Sequence, residues 1–234
     1  MTGWLASITG VDEARQAVAA GASIIDCKNP RAGALGALPD EIVRAVVAAV
    51  AGRASVSATV GDFPSMDPAV VRDAVVAMAR TGVDYVKVGL FPSPELDACL
   101  AALEPVARRQ PLVAVLFADR QPDFSLIPHL AALGFAGVML DTAGKTGGGL
   151  LAHQSESALA GFVRQARRHG LLTGLAGSLK LADIDRLLPL EPDYLGFRGA
   201  LCRDHTRVAA LDPAALLAVS ARMGARRAEI SEPA

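Results

Sequence analysis

Short apolar runs alternate along the chain with longer alanine-rich stretches whose apolar positions recur every three or four residues. The short runs are WLASI near Trp4, SIIDCK from Ser23, ASVSATV from Ala54 and DYVKVGL from Asp84. LVAVLFA from Leu112, AGVMLD from Ala136, LLTGLAGS from Leu171 and DYLGFRG from Asp193 complete the series, and each predicts a strand. The stretches between them carry helix punctuation. Asp12 is placed to cap VDEARQAVAAG, which Gly21 ends. Pro39, Asp40 and Glu41 open a run closed by Gly52, and Asp67 with Pro68 opens another closed by Gly82. Ser155 precedes SALAGFVRQARRHG, which stops at Gly170.

Successive strands begin about 20 to 35 residues apart, the spacing of a βα unit. Eight such units predict a single-domain α/β protein, a (β/α)8 TIM barrel over residues 1–224, with residues 225–234 as a loose tail. A doubly wound open sheet is the alternative, but ITGVDEA after the first strand lacks the glycine-rich fingerprint that fold would need.

Composition narrows the function. With 52% apolar but only 4% aromatic residues, the core is built mostly of Ala, Val and Leu. A net charge of −1 gives no general attraction to nucleic acid or to an anionic membrane. There is no signal-peptide pattern after Met1 and no uninterrupted apolar span, so a cytoplasmic protein is expected. Cys27, Cys99 and Cys202 are odd in number and far apart, and His129, His153, His169 and His205 show no zinc spacing. They read as isolated thiols and surface imidazoles, which disfavours a metal-dependent mechanism. The apolar stretch AVVAAV from Ala45 serves either the core or a contact between copies, so a homo-oligomer stays open.

The chemistry is concentrated in the lysines. There are four against nineteen arginines, and Lys28, Lys87, Lys145 and Lys180 all fall within or just beyond a strand-like segment. Arginine replaces lysine as a surface charge but cannot become a neutral amine near pH 7. Barrel active sites form at the C-terminal strand ends, where these lysines would lie. Strand alternation sends Asp26 and Lys28 to one face and Cys27 to the other, and groups Tyr85, Lys87 and Gly89. Asp141 ends the sixth strand and Lys145 follows on a glycine-rich loop. Two carboxylates and three lysines on neighbouring even strands suit proton transfer and Schiff-base formation; structural pairs Asp26–Lys28 and Asp141–Lys145 are the plainer alternative.

The seventh and eighth loops suggest a phosphate site. LAGS from Leu175 supplies the backbone of Gly177 and the hydroxyl of Ser178, and GFRGA supplies Arg198 and Gly199. Lys180 either assists the anion or is simply exposed. GKTGGG from Gly144 is not a nucleotide-binding loop, because Met139 stands where its first glycine is required. It reads as a mobile lid or a plain flexible connection.

These segments together resemble the (5-formylfuran-3-yl)methyl phosphate synthases of furan-cofactor biosynthesis. The resemblance runs through Leu5-Ala6-Ser7, Ala20-Gly21-Ala22, IIDCKNPRAGALGA from Ile24, VSATVGDFP from Val56 and DYVKVGL. It continues through MLDTAGK from Met139, LAGSLK from Leu175 and GFRGALC from Gly196, covering nearly the whole chain. The match is weak over Phe117 to Pro128 and after Lys145.

The resemblance implies joining of two glyceraldehyde 3-phosphate molecules, with loss of phosphate and water and with no metal or organic cofactor. It implies Lys28 as the Schiff-base amine, with Asp26 assisting proton transfer. Lys87, Asp141 and Lys145 would serve acid–base steps or the second substrate, and Arg198 with the Gly177–Ser178 backbone would hold a phosphate. The expected partner is a small phosphorylated triose. A different Schiff-base aldolase acting on a sugar phosphate is the runner-up, and a silent sugar-phosphate-binding barrel is a third reading. The alanine- and arginine-rich composition points to a high-GC bacterium, where a methylofuran-type cofactor would support one-carbon metabolism.

Overall fold

Strands that close into a barrel are covered on the inside by one another and on the outside by helices, so they read as nearly continuous apolar runs. The computed structural model, which describes residues 2–144 and 147–231, shows this arrangement. Its elements are β1 (Gly3–Ile8), α1 (Val11–Ala19), β2 (Ile24–Cys27), α2 (Asp40–Val50), β3 (Ser55–Thr59), α3 (Pro68–Ala79), β4 (Tyr85–Gly89) and α4 (Leu96–Ala107). They continue as β5 (Leu112–Phe117), α5 (Leu126–Ala132), β6 (Gly137–Asp141), α6 (Leu150–His153), α7 (Glu156–Arg168), β7 (Leu172–Leu175), α8 (Ile184–Leu187), β8 (Tyr194–Phe197) and α9 (Pro213–Ser231). All eight strands pair in parallel in sequence order, and β8 returns to β1 through Gly3 beside Tyr194 and Leu5 beside Gly196. The chain is a (β/α)8 TIM barrel, as the spacing of its apolar runs predicts.

The register sets the site. Ser7 of β1 stands beside Asp26 of β2, and Asp26 beside Ser57 of β3. Asp84 and Asp193 precede β4 and β8 and perform the same task. Asp84 accepts the Val56 N–H (2.7 Å), and Asp193 accepts the Thr173 N–H (2.7 Å), each tying the start of one strand to its neighbour. Glycines make room inside the barrel. A Cβ on Gly174 would stand 2.4 Å from the Tyr194 ring, so that buried ring occupies space only a glycine leaves.

Helix signals hold in most places. Asp67 accepts the N–H groups of Ala69 and Val70, and Ser155 accepts that of Ala158. The first helix differs: Gly10 is its N-cap, and Asp12 lies in its first turn. Glu13 there accepts both the N–H and the hydroxyl of Thr9, so the acid one position later organises this helix start. α2 turns Val43, Val46 and Val50 into the core. The last helix runs to Ser231, into the stretch expected to be a loose tail. No described helix is long and apolar enough to cross a membrane.

Candidate active site

At the C-terminal end of the barrel lies a cavity of about 780 Å³, and Ser7, Lys28, Lys87, Met139 and Asp141 contribute to its lining. Four of the five residues expected to carry chemistry meet there, or directly beneath it. The pairing, however, is crossed. Lys87 donates to Asp26 (3.0 Å), and Lys28 reaches over the barrel to Asp141 (3.0 Å). Neighbours in sequence therefore do not pair as Asp26–Lys28. Asp26 sits one layer deeper on β2, level with the amine rising from β4, whereas Lys28 leaves the strand end with enough length to cross to β6.

The two pairs have different surroundings. Asp26 is fully buried, and Lys87 is 2% exposed. Besides Lys87, the Asp26 carboxylate accepts from Ser7 Oγ (2.9 Å) and Ser57 Oγ (2.7 Å), so this buried charge is well satisfied. Lys28 and Asp141 are 9% and 5% exposed, at the cavity floor. The other oxygen of Asp141, Oδ1, accepts the Thr142 N–H (2.7 Å), which helps fix the carboxylate's orientation. A deep pair supports an upper pair that faces the cavity. Such an arrangement holds an amine ready for a carbonyl, with carboxylates placed to move protons.

Lys145 lies outside the described residues. The chain just before it is held by Asp119, whose carboxylate accepts the N–H groups of Ala143 (2.8 Å) and Gly144 (2.6 Å). Burial works to raise the Asp119 pKa, but these hydrogen bonds and nearby His153 outweigh it and hold the group below its ordinary value. Asp119 belongs to the stretch where the resemblance is weak, and nothing in the local sequence marks its role.

At the seventh and eighth loops the geometry divides the expected phosphate group. Gly177 and Ser178 both have left-handed backbones (φ 108° and 51°). A Cβ on Gly177 would come within 2.9 Å of the Thr142 side chain, so glycine is required there. Both residues line the cavity, as does Gly199, which starts a short 3-10 turn. Lys180 lies on the exposed rim, its backbone N–H held by the Asp183 carboxylate (2.8 Å).

Arg198 also borders the cavity, but its guanidinium is committed within the protein. Nε donates to the Arg207 carbonyl (2.8 Å). Nη1 donates to the Ser7 carbonyl (3.0 Å) and Glu13 (2.6 Å), and Nη2 to the Ala209 carbonyl (2.8 Å) and Glu13 (3.3 Å). Burial pushes the Glu13 pKa up, yet Arg198's hydrogen bond and charge, aided by Thr9, bring it below its ordinary value. Arg198 thus ties β8 to β1, α1 and the 203–210 loop, and the role expected for its side chain on phosphate has no free donor to serve it.

Sequence reasoning missed Ser7, Ser57, Glu13 and Arg207. The two serines were recoverable from strand parity once the barrel was assumed; Glu13 and Arg207 lie in a helix turn and an irregular loop that carry no such signal. All three cysteines are buried, and burial raises the Cys99 thiol to about 11, which leaves it unreactive at neutral pH.

The family model of the 4-HFC-P synthases matches residues 4–220. The chain belongs to this family. Among its relatives, the (5-formylfuran-3-yl)methyl phosphate synthase of Methanopyrus kandleri is 40% identical over 85% of this chain and 88% of its own length. The synthase of the same name from Methanocaldococcus jannaschii is 37% identical over 87% of this chain and 91% of its own. A Methylorubrum extorquens protein, whose name assigns that activity provisionally, is 46% identical over 96% of this chain and 93% of its own. Solved structures agree on the fold. Phosphoribosyl anthranilate isomerase of Thermotoga maritima superposes with a TM-score of 0.71 at 13% identity, covering 96% of this chain and 100% of that one. A 3-hexulose-6-phosphate synthase gives 0.64 at 19% identity, covering 94% and 99%. This 4-HFC-P synthase family member is therefore an enzyme of furan-phosphate synthesis on a TIM barrel.

Proposed function

We propose that the protein condenses two molecules of glyceraldehyde 3-phosphate into (5-formylfuran-3-yl)methyl phosphate through a Schiff base on Lys28, acting as a carbon–oxygen lyase. The balance is two trioses in, and one furan phosphate, one inorganic phosphate and two waters out. The observation that carries this reading is the pair of crossed lysine–carboxylate bridges beneath the cavity. Lys28 is the amine at the cavity floor, whereas Lys87 is sealed against Asp26. Condensation of the Lys28 amine with an aldehyde expels water and leaves an iminium, an electron sink that acidifies the neighbouring C–H. Asp141, in contact with that amine, is the base placed to take protons there and return them during dehydration. Asp26 and Lys87 keep the charge balance of the floor fixed while the upper pair changes state. Lys145 supplies a further acid or contacts the second triose, and the Gly177, Ser178 and Gly199 backbone with Lys180 receives a phosphate.

The test is incubation with glyceraldehyde 3-phosphate, followed by ultraviolet scanning, borohydride trapping and peptide mass mapping. A new furan-aldehyde band with a reduced adduct on Lys28 is the expected result. An adduct without the band leaves a Schiff-base aldolase acting on a sugar phosphate. Folded protein giving neither overturns the reading.

A further inference from the structure

The cavity is lined by five described cations: Lys28, Lys87, Lys180, Arg198 and Arg207. Lys28, Lys87 and Arg198 each contact a carboxylate, and Lys180 projects from the exposed rim. Arg207 differs from all four. It is half-buried, and the one hydrogen bond of its guanidinium among the described residues runs from Nη2 to the Gly33 carbonyl (2.8 Å). Five N–H groups in a planar fork thus have one acceptor among the described residues, and no described carboxylate touches them. Burial and the neighbouring Arg198 charge disfavour its charged form, and Asp141 and Asp62 offset this only from a distance, so a half-buried guanidinium with open donors is suited to an anion that contacts it directly.

The acceptor that positions Arg207 is itself built with care. The Asp62 carboxylate takes the N–H groups of Ala34 (2.7 Å) and Leu35 (3.0 Å). That clamp shapes the loop between β2 and α2. Gly33 has a left-handed φ of 111°, and a Cβ there would run into Asp62. The Gly33 carbonyl is thereby presented to Arg207, whose guanidinium is held over the loop that continues from Lys28.

We propose that Arg207 forms a second anion subsite, on the β2 side of the mouth, for a phosphomonoester carried by a substrate. It is a substrate-binding residue distinct from the Gly177–Ser178–Gly199 backbone on the seventh and eighth loops. The identity of the substrate rests on the furan-phosphate synthase reading; the anion site itself does not. A reaction joining two phosphorylated trioses must hold two phosphates at once, and the two sites stand on different loops of one cavity.

Calorimetric titration of the full-length protein with glycerol 3-phosphate, which lacks a carbonyl and cannot turn over, tests the subsite over a range of salt concentrations. Arg207→Gln is expected to weaken binding by about tenfold to a hundredfold, the usual worth of charge-assisted hydrogen bonds, and to flatten its salt dependence. Its thermal midpoint should match the wild type. Arg207→Lys, retaining the charge without the fork, should bind between the two and keep the salt dependence. Wild-type affinity in both variants overturns the proposal. So does weaker binding in Arg207→Gln with unchanged salt dependence, which would mean that Arg207 only holds the Gly33 loop. If Arg207→Gln does not fold, Arg207→Lys decides: several-fold weaker binding supports the subsite, and wild-type binding overturns it. A wild type that shows this Arg207-dependent binding but makes no furan aldehyde keeps the subsite and sinks the reaction.

Discussion

The two lysine–carboxylate bridges answer differently to removal of a partner, because Asp26 is fully buried beneath the cavity whereas Lys28 and Asp141 both face it. Asp26→Ala leaves Lys87 charged, buried and without its acceptor, and breaking such a pair costs about 3–5 kcal/mol. Chemical denaturation should show that loss directly. Lys28→Ala removes an amine from the cavity floor and leaves Asp141 facing the cavity with its Thr142 hydrogen bond intact. This variant should fold, with a denaturation midpoint near the wild type's, and should lose borohydride-trappable adduct and turnover by at least about a thousandfold, as loss of a covalent nucleophile does. A Lys28→Ala enzyme that still yields a trapped adduct would transfer the nucleophile's role to another lysine. The lysine bias in composition pointed to these amines; which carboxylate Lys28 and Lys87 each meet depended on reach across a closed barrel, whereas adjacency in sequence suggested Asp26 for Lys28.

Among the elements, α1 has the most consequence for the site because it lends Glu13 to Arg198. The Glu13 pKa is lowered on folding, so the pair stabilises the protein above the unfolded value of about 4.5, and that contribution disappears as pH falls through the lower folded value. Thermal midpoints of wild type and Glu13→Gln should therefore differ near neutrality and converge as pH is lowered below about 4.5. A gap that stays constant with pH would remove the charge from this account. The cap of α3 gives a control remote from the cavity: Asp67→Ala deprives Ala69 and Val70 of their acceptor and should cost about 1 kcal/mol, with kcat unchanged. Element boundaries were largely readable because caps and stop glycines act locally. The exception at Asp12 arose because Thr9 and Glu13 satisfied the helix start instead.

For the molecule as a whole, the barrel works because its interior is filled to a level just below the site. Tyr194 occupies the space that Gly174 leaves open, and its hydroxyl reaches Met139 Sδ (3.6 Å) in the layer under the cavity. Gly174→Ala should destabilise the protein by about 1–3 kcal/mol in a urea titration, the range for overpacking a tight interior. It should also lower kcat, since the displaced ring has the catalytic floor above it; unchanged stability would mean that this layer is looser than its distances indicate. The eight βα units and the placing of ionisable groups at the strand ends were legible in the sequence, because alternation and βα spacing are local properties, and the missing glycine fingerprint after the first strand favoured a closed barrel over an open doubly wound sheet. Tertiary structure alone decided that Lys28 crosses to Asp141, that Arg198 is consumed by Glu13, and that Arg207 is left facing the cavity with donors to spare. Those outcomes depend on distances between residues far apart in the chain, where charge, reach and burial compete in three dimensions and no one-dimensional pattern records the winner.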